Sequence, residues 1–295
     1  MGGKDAQRGM IPWQAAIIRP DQDYYHCGAT IIDDRHLITD RWCVWSGLIG
    51  QKVHAGHVLQ ISNNATECTL QERIIVHIES HPCLCFARDW CDNFSSSSLG
   101  KLVQPYQYYI SILTVDRPFL YNKFVQPICL PSTDFPMPEG NMTMTSGFGR
   151  NSTLQYSWQP TVPTKVCANR YSWFPDSAIC TKHPEGDIGP CWNDRGSPLI
   201  VREEEEGRTI LIGVFRGGSA CDGGPSVYQR VSDSLDWIRE KMNNKPVGDS
   251  TFVGTEERCH EYLVNQSMLH ATASATAHTP HFWTIIMLLM LWLFP

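Results

Sequence analysis

Short β-rich runs separated by turn-forming clusters recur along most of this chain, and they leave few folds open to it. Residues 14–18, 73–76, 110–115 and 209–215 alternate or run apolar between clusters of Gly, Pro, Asn and Ser. No long stretch carries helical periodicity. The one clear helix is predicted over residues 234–242, where Leu235, Ile238 and Met242 recur at three and four residues beside Trp237, and Asp233 or Ser234 can cap its start. The fold class expected from this pattern is all-β. The serine run at 95–98 and the glutamate run at 203–206 read as solvated loop tips. Beyond residue 244 the pattern fades, so residues 1–244 are expected to form the folded domain, 245–281 a linker and 282–295 a hydrophobic tail.

Twelve cysteines and five N-x-[ST] sequons, at Asn64, Asn93, Asn141, Asn151 and Asn265, point to an oxidising compartment and a glycosylated, disulfide-bonded protein. A metal protein is the competing reading, since His81, Cys83, Cys85 and Cys91 cluster and His54 stands three residues before His57. Their spacings match none of the paired patterns of structural zinc sites, so no metal is expected, and nothing calls for a cofactor. A net charge of -6 without any run of Lys or Arg argues against nucleic acid as a partner.

The two ends point in different directions. Met1 is followed by Gly-Gly-Lys-Asp, without the basic and apolar regions of a signal peptide, which conflicts with the cysteine content. A truncated or isoform N-terminus reconciles them and places the domain outside the cell or at its surface. At the other end, residues 282–294 are almost wholly apolar. Thirteen helical residues reach ~20 Å, whereas a bilayer core is ~30 Å thick. Small residues at 271–277, a polar spacer and this tail have the layout of a glycolipid-anchor signal, with attachment expected within Ala271, Ala273 and Ser274. A short membrane segment or a tail docked on its own domain are the alternatives.

Between these ends the residues resemble one family, the trypsin-like (chymotrypsin-fold) serine proteases. Pro12-Trp13-Gln14 is similar to the start of the mature domain, and Cys27-Gly28-Ala29-Thr30-Ile31-Ile32 with Leu37-Ile38-Thr39 and Cys43 to the segment around the catalytic histidine. His81-Pro82, the stretch from Val125 to Pro131, Ser146-Gly147-Phe148-Gly149, the loop from Cys191 to Leu199, the stretch from Pro225 to Ser232 and Trp237-Ile238 follow in the family's order. The resemblance implies two packed six-stranded antiparallel β-barrels, a cleft between them and a C-terminal helix. It also implies disulfides joining Cys27 with Cys43, Cys167 with Cys180 and Cys191 with Cys221. A further family pair is absent at both ends, with Thr143 and Val201 in its places. Cys129 resembles a cysteine that ties the domain to a propeptide, and the pairing of Cys68, Cys83, Cys85, Cys91 and Cys259 stays open.

The same resemblance locates a catalytic triad and shows every member substituted. Acyl transfer by a serine hydroxyl needs a nucleophile, a base and a carboxylate to orient that base. The histidine position is Trp42, preceded by Thr39-Asp40-Arg41, and an indole has no basic lone pair. The aspartate position is Tyr109, a phenol that is uncharged at neutral pH. The serine position is Arg195, whose guanidinium is no nucleophile.

Supporting positions change as well. Asn193 replaces the glycine of the oxyanion hole, Gly189 stands where a trypsin-like pocket would have aspartate, and Arg216-Gly217-Gly218 replaces Ser-Trp-Gly. Asp194 is kept. Rescue by Ser197, with a histidine as base, would displace the hydroxyl from the oxyanion donors, and loss of a positioned nucleophile or base costs roughly 10⁶-fold.

The expected function is therefore an inactive homologue that binds a protein partner through its cleft, with Arg195 and Arg216 as cationic donors. One alternative is that these arginines are merely tolerated where activity has lapsed; another is a serine-type endopeptidase, which rests on fold alone.

Overall fold

Alternation along short apolar strands sends side chains to two sides, and here both sides are buried. A computed structural model of the chain describes residues 2–18, 25–45, 47–59, 69–82, 108–137, 139–149, 153–175, 178–191, 193–203, 207–218 and 223–243. These lie within the first of two units, residues 1–255. The expected linker and tail, with Ala271, Ala273 and Ser274, lie outside the described residues, as do Asn64, Asn93, Asn151, Asn265, Cys68, Cys83, Cys85, Cys91, Cys221 and Cys259.

The first half contributes β1 (Lys4–Asp5), β2 (Gln14–Ile18), β3 (Tyr25–Ile31), β4 (His36–Asp40), β5 (Lys52–Ala55), β6 (Gln71–Ser80) and β7 (Ile110–Val115). A closed barrel forms in the order β2-β3-β4-β7-β6-β5. Its interior holds Ala15, Ile17, Ala29, Ile31, Leu37, Val53, Ile75, Leu113 and Val115. The opposite faces of β4 and β7 turn Ile38, Ile110 and Ile112 into a second core, shared with Met144, Ile200, Leu211, Val214 and Trp237. Period-two geometry thus places Asp40 on the Ile38 side of its strand, away from the barrel interior and toward the second half.

That half is built from β8 (Met142–Gly147), β9 (Gln155–Pro160), β10 (Ile179–Thr181), β11 (Pro198–Arg202), β12 (Thr209–Gly218) and β13 (Ser226–Arg230), in the order β1-β9-β8-β11-β12-β13-β10. It is a curled half-barrel rather than a second closed cylinder. A single bridge between Thr161, just past β9, and Thr181 on β10 brings its two sides together, with β1 added at the edge. The expected two-part β architecture is present as one closed six-stranded barrel and one curled half-barrel.

Three helices complete the described chain: α1 (Arg41–Val44), α2 (Thr164–Arg170) and α3 (Leu235–Asn243). The first two are short and were not foreseen from periodicity. The last buries Leu235, Trp237, Ile238 and Met242 as its spacing predicted. A 3₁₀ turn at Ser232–Ser234 leads into it, and of the two expected caps the Ser234 hydroxyl is buried without a hydrogen bond among the described residues. Glu203 also departs from a simple solvated tip, since Arg208 donates to its Oε2 at 2.7 and 2.9 Å.

Cys27 is bonded to Cys43 and Cys167 to Cys180; Cys191 is disulfide-bonded, and Cys221, the partner expected for it, lies outside the described residues. Cys129 is buried and has no disulfide partner among the described residues. The register of β8 on β11, with Leu199 against Thr145 and Ile200 against Met144, carries Thr143 opposite Val201. The two residues at the absent disulfide therefore face each other across adjacent strands. Thr143 is fully buried and its hydroxyl donates to the Gln159 carbonyl at 2.7 Å. The preceding sequon residue Asn141 is partly buried at the entry to β8.

A cluster of rings fills one contact between the halves. The Tyr25 hydroxyl and His57 Nε2 are hydrogen-bonded at 2.5 Å, and the His57 ring stacks on Phe148, which follows β8, at 4.8 Å. Burial, with His54 nearby, pushes the His57 imidazole down to about 3, so it stays neutral. His54 itself is bonded to Glu72 at 3.0 Å. The two histidines weighed as a ligand pair are thus engaged with different partners.

Candidate functional site

The loop from Cys191 to Leu199 keeps its backbone because glycine and asparagine sit where other residues would strain or clash. Asn193 has φ 70°, a left-handed conformation that asparagine tolerates better than most residues, so the change from the family's glycine preserves the turn. Gly196 has φ 83°, and a Cβ there would lie 2.3 Å from the Gly28 carbonyl oxygen. Gly28 in turn packs on Ser197, where a Cβ would meet the hydroxyl at 2.1 Å, and its N–H donates to the Arg195 carbonyl at 2.7 Å. Asp194 is buried beneath the loop and accepts hydrogen bonds from the N–H groups of Cys191 at 2.9 Å and Gly149 at 2.7 Å. Burial pushes its carboxyl up to about 6 in spite of these donors.

The structure brings Trp42, Tyr109 and Arg195 to one site, together with a residue not foreseen there. Asp40 is fully buried, and its Oδ1 faces Arg195 Nη1 at 3.5 Å. The same oxygen accepts the N–H of Trp42 at 2.8 Å, capping α1. Burial raises the Asp40 carboxyl to about 6, opposed by the charge of Arg195, the Trp42 N–H and the charge of Arg216. Its other oxygen, Oδ2, has no hydrogen-bond partner among the described residues. A clue lay in the sequence: an acid ends the otherwise apolar run Leu37-Ile38-Thr39, immediately before the two residues that replace the catalytic segment.

Aromatic rings hold the two arginines. Arg195 lies over the ring of Trp42 at 5.1 Å, and Arg216 lies over Tyr109 at 4.2 Å and near Trp173 at 5.4 Å. Such cation–π contacts strengthen as water is excluded. The two cations differ in access: Arg216 is 3% exposed, whereas the Arg195 side chain is 35% exposed. The expectation that both arginines face a partner is therefore corrected; burial between rings leaves Arg195 as the accessible one. Gly217 lets them converge, since a Cβ there would stand 3.3 Å from Arg195 Nη2 and from Trp173.

Tyr109 is held from the other side. Its N–H donates to Gln229 Oε1 at 3.0 Å, and its carbonyl accepts from the Arg41 N–H at 3.3 Å. Tyr108 has φ 62°, an outlier for a bulky residue, and its ring stacks on His81 at 4.3 Å. Burial, with the charge of Arg41, pushes His81 down to about 4.

Chemically, the site can hold charge and offer donors: Trp42, Tyr109 and Arg195 bring an indole, a phenol and a guanidinium. Ser197 is fully buried between Gly28 and Gly147, beneath the loop rather than at its surface. Among the described residues, no group of three or more His, Cys, Asp or Glu is arranged to hold a metal ion.

The comparisons with known proteins agree with this architecture. The sequence model of the family described as Trypsin matches residues 1–238. Transmembrane protease serine 9 of Rattus norvegicus is 28% identical over 259 residues, covering 83% of this chain and 22% of that relative. Transmembrane protease serine 7 of Mus musculus is 25% identical over 256 residues, covering 81% of this chain and 28% of that relative. The chain thus spans about a quarter of the length of these relatives.

The raised Asp40 carboxyl makes a signed prediction. Its folded value near 6 exceeds the unfolded value of 3.8, so between these the folded state binds more protons, and Asp40's contribution to stability falls as pH rises. In urea titrations, the stability of the natural protein relative to Asp40→Asn is expected to fall by ~2 kcal/mol from pH 4 to pH 7. A difference that is flat or rises over that range contradicts the buried charge.

Proposed function

The chain belongs to the trypsin family of serine proteases, and within it we propose a catalytically inactive member whose protease domain binds a protein partner at the cell surface or outside the cell. One observation carries the reading: an ion pair between buried Asp40 and partly exposed Arg195, with two cation–π contacts, occupies the triad region, where catalysis needs an accessible nucleophile beside a base. Arg195 cannot attack a carbonyl, Trp42 cannot take a proton from a hydroxyl, and Tyr109 offers no charge to an imidazolium. Ser197 is sealed under its own loop. The domain's loops and cleft are then free to serve recognition rather than turnover.

Surface location is supported by the disulfides, the five sequons and the names of the relatives, which are transmembrane proteases. We place the attachment through a glycolipid at the small residues Ala271 to Ser274, with the apolar tail removed.

Full-length chain incubated with a fluorophosphonate serine probe is expected to take no covalent label, and Arg195→Ser alone should not hydrolyse casein. Labelling that Ser197→Ala abolishes would overturn the inactive reading. Phosphatidylinositol-specific phospholipase should release the chain from the surface of expressing cells; retention after that treatment would replace the glycolipid with a membrane segment or a docked tail.

A further inference from the structure

A second property of the site concerns what lies around Arg195 on the outside. α1 begins next to Asp40 and carries Trp42, and Trp45 caps its end with an N–H that donates to the Trp42 carbonyl at 3.3 Å; the two are 49% and 67% exposed, and Ile49 further along is 67% exposed. Large apolar side chains gathered beside an accessible arginine match the composition of binding hot spots, where Trp and Arg dominate. The charge is equally one-sided. Arg195 and Arg216 both act on the one buried carboxylate of Asp40, and Arg41 lies near Tyr109 and His81, in a chain whose net charge is -6.

Arg41 is partly buried beside Tyr109 and His81, and Arg216 lies under its rings, so both contribute positive potential from below. Arg195 reaches the surface with five N–H donors and one ion pair at 3.5 Å among the described residues. A guanidinium so placed can accept a second carboxylate.

Resting on the reading of an inactive binding domain, we propose that the surface formed by Trp42, Trp45, Ile49 and Arg195 is a docking site for an acidic peptide segment of a partner protein. A carboxylate of that segment pairs with the exposed edge of Arg195. An aliphatic or aromatic neighbour of the acid packs on the two tryptophans. Asp40 holds Arg195 upright from beneath, and the extra positive charge of Arg41 and Arg216 favours an anion over a neutral ligand.

Seven-residue peptides displayed on phage and selected against the full chain test this. The enriched peptides are expected to carry Asp or Glu next to an aliphatic or aromatic residue, and to remain uncleaved by mass spectrometry. As synthetic peptides they should bind at least tenfold more weakly to Trp45→Ser. The same loss is expected for the double variant Asp40→Asn with Arg195→Gln, which keeps the buried pair electrically balanced and guards against misfolding.

No enrichment, enriched peptides without an acid, or affinity retained by the double variant overturns the proposal while leaving the inactive reading intact. A concentration-dependent dimer that Trp45→Ser abolishes assigns the surface to a second copy and also overturns it. Cleavage of the selected peptides overturns the inactive reading and this proposal together.

Discussion

A guanidinium introduced among packed strands must find a counter-charge, and here it finds the buried carboxylate of Asp40. The pair is costly as well as favourable. Burial pushes the Asp40 carboxyl up to about 6, while Arg195 and Arg216 draw it down. Loss of Arg195 therefore leaves the buried Asp40 carboxylate uncompensated, whereas loss of Asp40 leaves a guanidinium that is 35% exposed and can turn to water. Asp40 also caps the short helix that bears Trp42, so the pair ties the loop of the second half to the strand end of the first. The ring contacts of Arg195 with Trp42 and Arg216 with Tyr109 make the substituted residues mutually dependent. They behave as one assembly rather than as three separate losses.

Around this assembly the backbone keeps the architecture of a protease. Gly28, Gly196 and Asn193 preserve the turn and the close approach of the nucleophile loop to the first barrel, and Asp194 still gathers two N–H groups beneath it. Backbone shape and side-chain chemistry have separated. The scaffold residues satisfy buried hydrogen-bonding groups that any folded version must satisfy, whereas the triad positions answer only to catalysis. On the proposed reading, a domain released from turnover can change the second set while the first stays under the constraint of folding.

Much of this was legible in the residues. Alternating apolar runs predicted the strands, and Gln14–Ile18 and Ile110–Val115 match their expected bounds. The family resemblance implied the Cys27–Cys43 and Cys167–Cys180 bridges, and the joint absence of a pair at Thr143 and Val201 is matched by their facing register. What escaped was non-local. Asp40 and Arg195 are far apart in sequence, and nothing in either motif alone says that one charge neutralises the other. The burial of Arg216 between rings also depends on packing that periodicity does not encode. α1 and α2 are too short to show a helical repeat.

The central claim is that the whole assembly, and not any single substitution, removes catalysis. Its most direct test compares two repaired proteins in a peptide-hydrolysis assay. One carries Trp42→His, Tyr109→Asp and Arg195→Ser; the other adds Asp40→Ala and Arg216→Ser, which remove the stranded carboxylate and the guanidinium beside position 109. The account predicts hydrolysis only in the fivefold variant, or at least a hundredfold more of it there. Equal activity in the two, or activity from Arg195→Ser alone, would contradict it.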